Sequence, residues 1–184
     1  MLAYVFWHAP APGADGAAYE EALLGFHAVL RDASPRGFAG SAALRVTGAP
    51  WLPGGSGYED WYLVEDFTAL GELNEAAVSG RRQGPHDDVA LRAGHGAGGV
   101  YASWVGAPDV PTGEVQWFAK APGTTYGDLR TTLSGPTWLR QLVLGPAPEL
   151  CRSGGRIPPA ATPVVTTTSE VLYPTPSGAV TPPA

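Results

Sequence analysis

Residues 2–9 (LAYVFWHA) are apolar on both sides of an extended chain, with Tyr4 and Phe6 alternating with Val5 and Trp7. A strand of that kind belongs in the middle of a sheet covered on both faces. After a loop over 10–16, Asp15 stands where a helix N-cap belongs. Tyr19, Ala22, Leu23, Phe26, Val29 and Leu30 then form one stripe at helical spacing, with Glu20, Glu21 and Arg31 off it. Pro35 and Gly37 close this helix. Residues 38–46 read as a second strand. Residues 58–65 read as a third, with Trp61 and Leu63 on one face and Tyr62 and Val64 on the other. Asp66 caps a second predicted helix whose inner face carries Phe67, Leu70, Leu73, Asn74, Ala77 and Val78, and Gly80 follows as its stop. A short helix over 85–92, with proline in its first turn, leads through a glycine-rich loop (AGHGAGG) to a fourth strand over 100–105.

The order β-α-β-β-α-β is the split βαβ, or ferredoxin-like, arrangement. It leaves one sheet face without helices. A self-match suggests what covers that face: Val5–Gly13 (VFWHAPAPG) aligns with Val115–Gly123 (VQWFAKAPG) at six of nine positions, with Trp7 opposite Trp117. Leu44–Leu52 (LRVTGAPWL) resembles Leu142–Leu150 (LVLGPAPEL), and residues 126–133 stand in for the first helix in shortened form. A match on this scale indicates a duplicated unit. The second copy has no counterpart of the second long helix. Three strands and one helix are expected there, with a loop over 152–163 and a last strand over 164–173. The fold class expected is therefore α+β: two fused ferredoxin-like repeats, βαββαβ plus a truncated βαββ, with their sheets packed face to face and helices outside. The boundaries expected are 1–107, 108–174, and a flexible Pro-rich tail over 175–184 (TPSGAVTPPA).

Element order and repeat together resemble the dimeric α/β-barrel superfamily of ferredoxin-like proteins. That group includes antibiotic-biosynthesis monooxygenases, EthD-like proteins, muconolactone isomerases, chlorite dismutases and dye-decolorising peroxidases. The resemblance spans residues 2–174 and implies a small-molecule cavity. It brings no catalytic motif that can be carried over position by position.

Charge narrows the partners. The net charge of −6 disfavours nucleic acid and anionic membrane surfaces, which call for clustered basic residues. Charged residues make up only 15% of the chain, below the usual ~25%, so a homodimer that covers part of the surface stays among the expectations. Cys151 is the single cysteine, which rules out an internal disulfide and a CxxC metal site. The opening apolar run is too short for a signal peptide and lacks a basic leader, and no stretch approaches a membrane span, so the cytoplasm is the expected compartment.

Chemistry falls to the histidines and aromatics. His8 ends the first strand, and His27 lies at the margin of the first helix's apolar stripe. His86 precedes Asp87 and Asp88, which could fix its tautomer for acid–base work. These three are the candidate catalytic residues. His95, in the glycine-rich loop, is not, and that loop lacks the placement of a phosphate cradle. Trp7, Trp61, Tyr62, Tyr101 and Trp117 are the candidate substrate-binding residues, lining a pocket for a small apolar molecule. Tyr4, Tyr62 and Tyr101 share strand parities that place their hydroxyls on one face. Glu59 and Asp60 read as strand-end solvation. No HxH or HExxH pattern points to metal, and no cofactor is expected; haem on a single axial histidine is the minority alternative. Two functions compete ahead of it. One is a cofactor-independent oxygenase, cyclase or isomerase acting on an aromatic or polyketide-like compound. The other is a non-catalytic binding or assembly protein.

Overall fold

The computed structural model of the chain describes residues 1–155, 157 and 159–174; the tail expected over 175–184 lies outside them. The elements run β1 (Leu2–Pro10), α1 (Gly16–Asp32), β2 (Phe38–Thr47), β3 (Ser56–Val64), α2 (Phe67–Ala77), α3 (Gln83–Arg92), β4 (Ala93–Val105), β5 (Gly113–Lys120), α4 (Tyr126–Thr132), β6 (Thr137–Gln141), β7 (Leu150–Ser153) and β8 (Ala161–Tyr173).

The strands close into one antiparallel barrel in the order β1-β3-β2-β8-β5-β7-β6-β4. This corrects the expected fold of two ferredoxin-like repeats with open sheets packed face to face. β2 and β4, which would have been sheet edges, are each paired with a strand from the second half. Leu44 lies opposite Val171 and Val46 opposite Ser169 along one seam. Tyr101 lies opposite Arg140 and Ala102 opposite Leu139 along the other. Closure leaves no edge with free N–H and C=O groups, and an eight-stranded barrel has an interior that side chains alone can fill.

That interior is aromatic. Trp7, Trp61, Trp117, Trp138 and Tyr101 are buried within it beside Val5, Leu44 and Val46. The two tryptophans of the self-match meet there, their ring centroids 5.6 Å apart and nearly perpendicular. Each of these five polar rings finds an acceptor. Trp7 Nε1 and Trp61 Nε1 donate to the two oxygens of Glu59 at 2.7 and 2.6 Å, Trp117 Nε1 donates to Thr167 Oγ1, Trp138 Nε1 to the Asp109 carbonyl, and the Tyr101 hydroxyl to the Pro148 carbonyl.

Helices cover the outside. Asp15 caps α1 by accepting from the N–H groups of Ala17 and Ala18, and Asp66 caps α2 by accepting from Ala69 N–H, as the sequence pattern indicates. α1 turns Tyr19, Leu23, Phe26, His27 and Leu30 inward. Arg82 ties the helices together by donating to the carbonyls of Ala76, in α2, and Ala33, at the C-terminal end of α1, which satisfies groups that helix ends leave open. α4 packs Leu129 over Phe118 and Leu150 on the second half. Among the described residues no helix is long and apolar enough to cross a membrane.

Three local expectations also change. Among the described residues the second half contributes four strands, not three, because β6 and β7 flank the turn where one strand was expected. Residues 142–149, matched in sequence to part of β2, lie between strands. The glycine-rich segment is not a loop but the first half of β4, paired with β1 from His8–Gly96 to Val5–Gly99. Its glycines make room for rings: a Cβ on Gly96 would sit 2.7 Å from Phe6 Cζ, and one on Gly98 2.6 Å from the Tyr4 hydroxyl oxygen. Rings of the neighbouring strand thus lean across β4. Gly98→Val must displace Tyr4, so we expect urea denaturation to show a loss of about 1–3 kcal/mol, the usual cost of overpacking. A Gly98→Val variant as stable as the parent would contradict this packing.

Candidate functional site

β1 and β3 alternate between the barrel interior and its outer face. Trp7, Glu59 and Trp61 point in. Residues one step away (Phe6 and His8 on β1, Asp60 and Tyr62 on β3) line a cavity of about 910 Å³ between the sheet and α1, α2 and α3. Leu23 and Phe26 of α1, Leu70 and Leu73 of α2 and Val89 of α3 give it apolar walls. Its volume falls within the range of small-molecule sites.

At the closed end Asp60 stands between two imidazoles. His8 Nε2 approaches Asp60 Oδ2 at 3.1 Å, and His27 Nε2 approaches Oδ1 at 3.3 Å. All three side chains are at most 2% exposed. The Tyr62 hydroxyl donates to Asp60 Oδ2 at 2.9 Å. The His–Asp contacts are close but off the line of a good hydrogen bond, so the attraction is chiefly electrostatic. Each remote nitrogen has its own hydroxyl: His8 Nδ1 lies 2.6 Å from Tyr19 Oη, and His27 Nδ1 lies 2.7 Å from Ser41 Oγ. Aromatic rings hold the imidazoles in place. His8 stacks between Phe6 and Tyr58 at 5.3 and 5.5 Å, and His27 lies parallel to Tyr62 at 5.2 Å.

The electrostatics follow from burial. Burial alone would raise the Asp60 carboxyl, but the facing imidazoles of His8 and His27 outweigh it and hold that carboxyl well below the ordinary carboxylate range. Burial, reinforced by the Asp60 charge, pushes the Tyr19 hydroxyl well above its ordinary value, so it keeps its proton. For a neutral imidazole, a carboxylate facing Nε2 favours the tautomer with hydrogen on that atom, and Nδ1 then accepts from its hydroxyl. The result is one carboxylate serving two Asp–His–hydroxyl chains, Asp60–His8–Tyr19 and Asp60–His27–Ser41.

Of the sequence-predicted catalytic residues, His8 and His27 converge at Asp60. His86 does not: it lies at the mouth, about one-third exposed and 3.1 Å from Asp87, with its ring edge-on to Phe26. Among the expected substrate-binding residues, Tyr62 lines the cavity. Trp7, Trp61, Tyr101 and Trp117 are packed inside the barrel, on the other side of the sheet. The three tyrosines do not share a face, since Tyr4 and Tyr62 stack outside the barrel and Tyr101 lies inside.

Sequence reasoning missed Asp60, Tyr19 and Ser41. The parity of β3 carried a signal for Asp60, because the alternation that pairs Tyr62 with Val64 also puts Asp60 on their face. Among the described residues no group of three or more His, Cys, Asp or Glu side chains forms a metal-binding set. No protein-family model matches the chain, and no curated protein matches it in sequence.

Proposed function

We propose that the cavity binds a small apolar, ring-bearing molecule, and that the Asp60–His8 pair moves a proton on it without a cofactor, in an isomerisation or cyclisation. The observation that carries this reading is a buried histidine–carboxylate cluster at the end of a mostly apolar cavity. A core that needed only stability gains little from such a cluster, since apolar residues of similar volume serve as well or better. A carboxylate that orients an imidazole and stabilises its protonated form is what general base catalysis requires.

Proton abstraction can be read without knowing the natural substrate. 2-Tetralone is neutral, bicyclic and enolisable. Incubated with the protein in D2O, it should exchange its α-hydrogens faster than in buffer, as followed by NMR. His8→Gln should lower that rate roughly a hundredfold to ten-thousandfold. Exchange no faster than in buffer, or exchange indifferent to His8→Gln, would remove the catalytic reading.

A further inference from the structure

The two chains that share Asp60 are not equivalent. All five side chains are almost fully buried, but Tyr19, His8 and Asp60 contribute to the cavity lining and His27 and Ser41 do not. His8 Nδ1 lies 2.6 Å from Tyr19 Oη, and in the tautomer that the Asp60 carboxylate favours it accepts from the Tyr19 hydroxyl. Both His8 nitrogens are thus engaged, Nε2 by Asp60 and Nδ1 by Tyr19, so a proton from the cavity reaches His8 only by way of the Tyr19 oxygen. Having given its hydrogen to His8, that oxygen keeps lone pairs that can accept another.

Charge restricts what can bind there. Among the described residues no Lys or Arg lines the cavity, and Asp60 is ionised at its end, so an anionic ligand would be repelled there and would find no ammonium or guanidinium to pair with. An ammonium group fares no better, since the Asp60 oxygens already face His8, His27 and the Tyr62 hydroxyl. What fits is a neutral molecule that becomes charged only by giving up a proton in place.

From this we infer that Tyr19 is the catalytic group that takes the substrate's proton, and that the substrate is an uncharged ring compound bearing a weakly acidic hydroxyl, a phenol or an enol. The inference rests on the function proposed above and deepens it. In the step, the substrate O–H bond breaks and its proton passes to Tyr19 Oη, while the proton already on Tyr19 passes to His8 Nδ1. The substrate is left as phenolate or enolate and His8 as imidazolium beside ionised Asp60. Tyr19 ends neutral, the total charge is unchanged, and no oxidant or reductant takes part. His8 acts through Tyr19, and Asp60 through His8.

7-Hydroxycoumarin tests the step, because its anion absorbs at longer wavelength than the neutral form; coumarin, which lacks the hydroxyl, is the control. At a pH where the free compound is predominantly neutral, binding should raise its ionised-to-neutral ratio about tenfold, equivalent to one pKa unit. Tyr19→Phe should still bind coumarin, which reports an intact cavity, yet leave bound 7-hydroxycoumarin neutral. An anion band that survives Tyr19→Phe would overturn the assignment of Tyr19. Neutral 7-hydroxycoumarin bound to the parent protein would overturn the relay while leaving the cavity reading in place. If neither coumarin binds, the proposed function fails along with the inference.

Discussion

Asp60→Leu should lower the stability of the folded chain by about 3–5 kcal/mol, the range expected when one partner of a buried charge cluster is removed. The loss comes from what remains: two imidazole N–H groups and the Tyr62 hydroxyl would point at an alkyl chain in a dry layer. If that is the cause, replacing His8 and His27 by leucine as well should recover much of the loss, because burying no polar group costs less than burying an unpaired one. The pH dependence should change too. The Asp60 carboxyl is held below its ordinary value of 3.8, so on acidification the unfolded chain takes up that proton first, and folding loses the contribution as pH falls below about 4. Urea titrations across the acid range should show a limb in the parent that is missing in Asp60→Leu. A single variant within about 1 kcal/mol of the parent, or a triple variant no better than the single one, would mean that Asp60 does not hold the two histidines together.

How far the sequence reaches this site is decided element by element. β1, α1, β3, α2 and the caps Asp15 and Asp66 are legible because each answers to a local rule: period, cap or two-sided burial. Closure is not legible. Strands apolar on both faces satisfy a pair of stacked sheets and a closed barrel alike, and only the long-range pairing of β2 with β8 and of β4 with β6 separates them. The AGHGAGG run misleads for a physical reason. Glycine marks a turn when the backbone needs freedom, but at Gly96 and Gly98 it marks a strand that must yield space to Phe6 and Tyr4. Asp60 is misread because the third strand starts at Ser56, two residues before the apolar pattern suggests, which turns an apparent strand end into a strand interior. His27 sits at the margin of the α1 stripe in sequence. In the fold that margin faces Asp60, a relation no periodicity can report. The tryptophans drew attention as pocket residues because they are large and numerous, yet strand parity sends Trp7 and Trp61 inward and leaves the cavity to the smaller rings of Tyr4, Phe6 and Tyr62.

The other face of the same dipeptide should govern stability at neutral pH. Glu59 is fully buried among the barrel tryptophans. Burial pushes its carboxyl up to about 7, although the indole N–H groups of Trp61 and Trp7 favour the charged form, and the neighbouring Asp60 charge adds to the rise. Its ordinary value is 4.5, so between about pH 4.5 and 7 the unfolded chain sheds this proton while the folded chain keeps it. Stability must therefore fall as pH rises through that window, by about 3 kcal/mol for a shift of this size. Glu59→Gln isolates the effect, because titrations common to both proteins cancel in the difference. The amide can accept from only one indole and opposes its NH2 to the other, so at about pH 5 the parent should be the more stable by about 1–3 kcal/mol. By about pH 8 the parent's advantage should have shrunk by about 3 kcal/mol and vanished or reversed. Paired urea titrations at the two pH values decide the matter. A gap that stays constant would show that Glu59 carries the same charge in the barrel as it does in water.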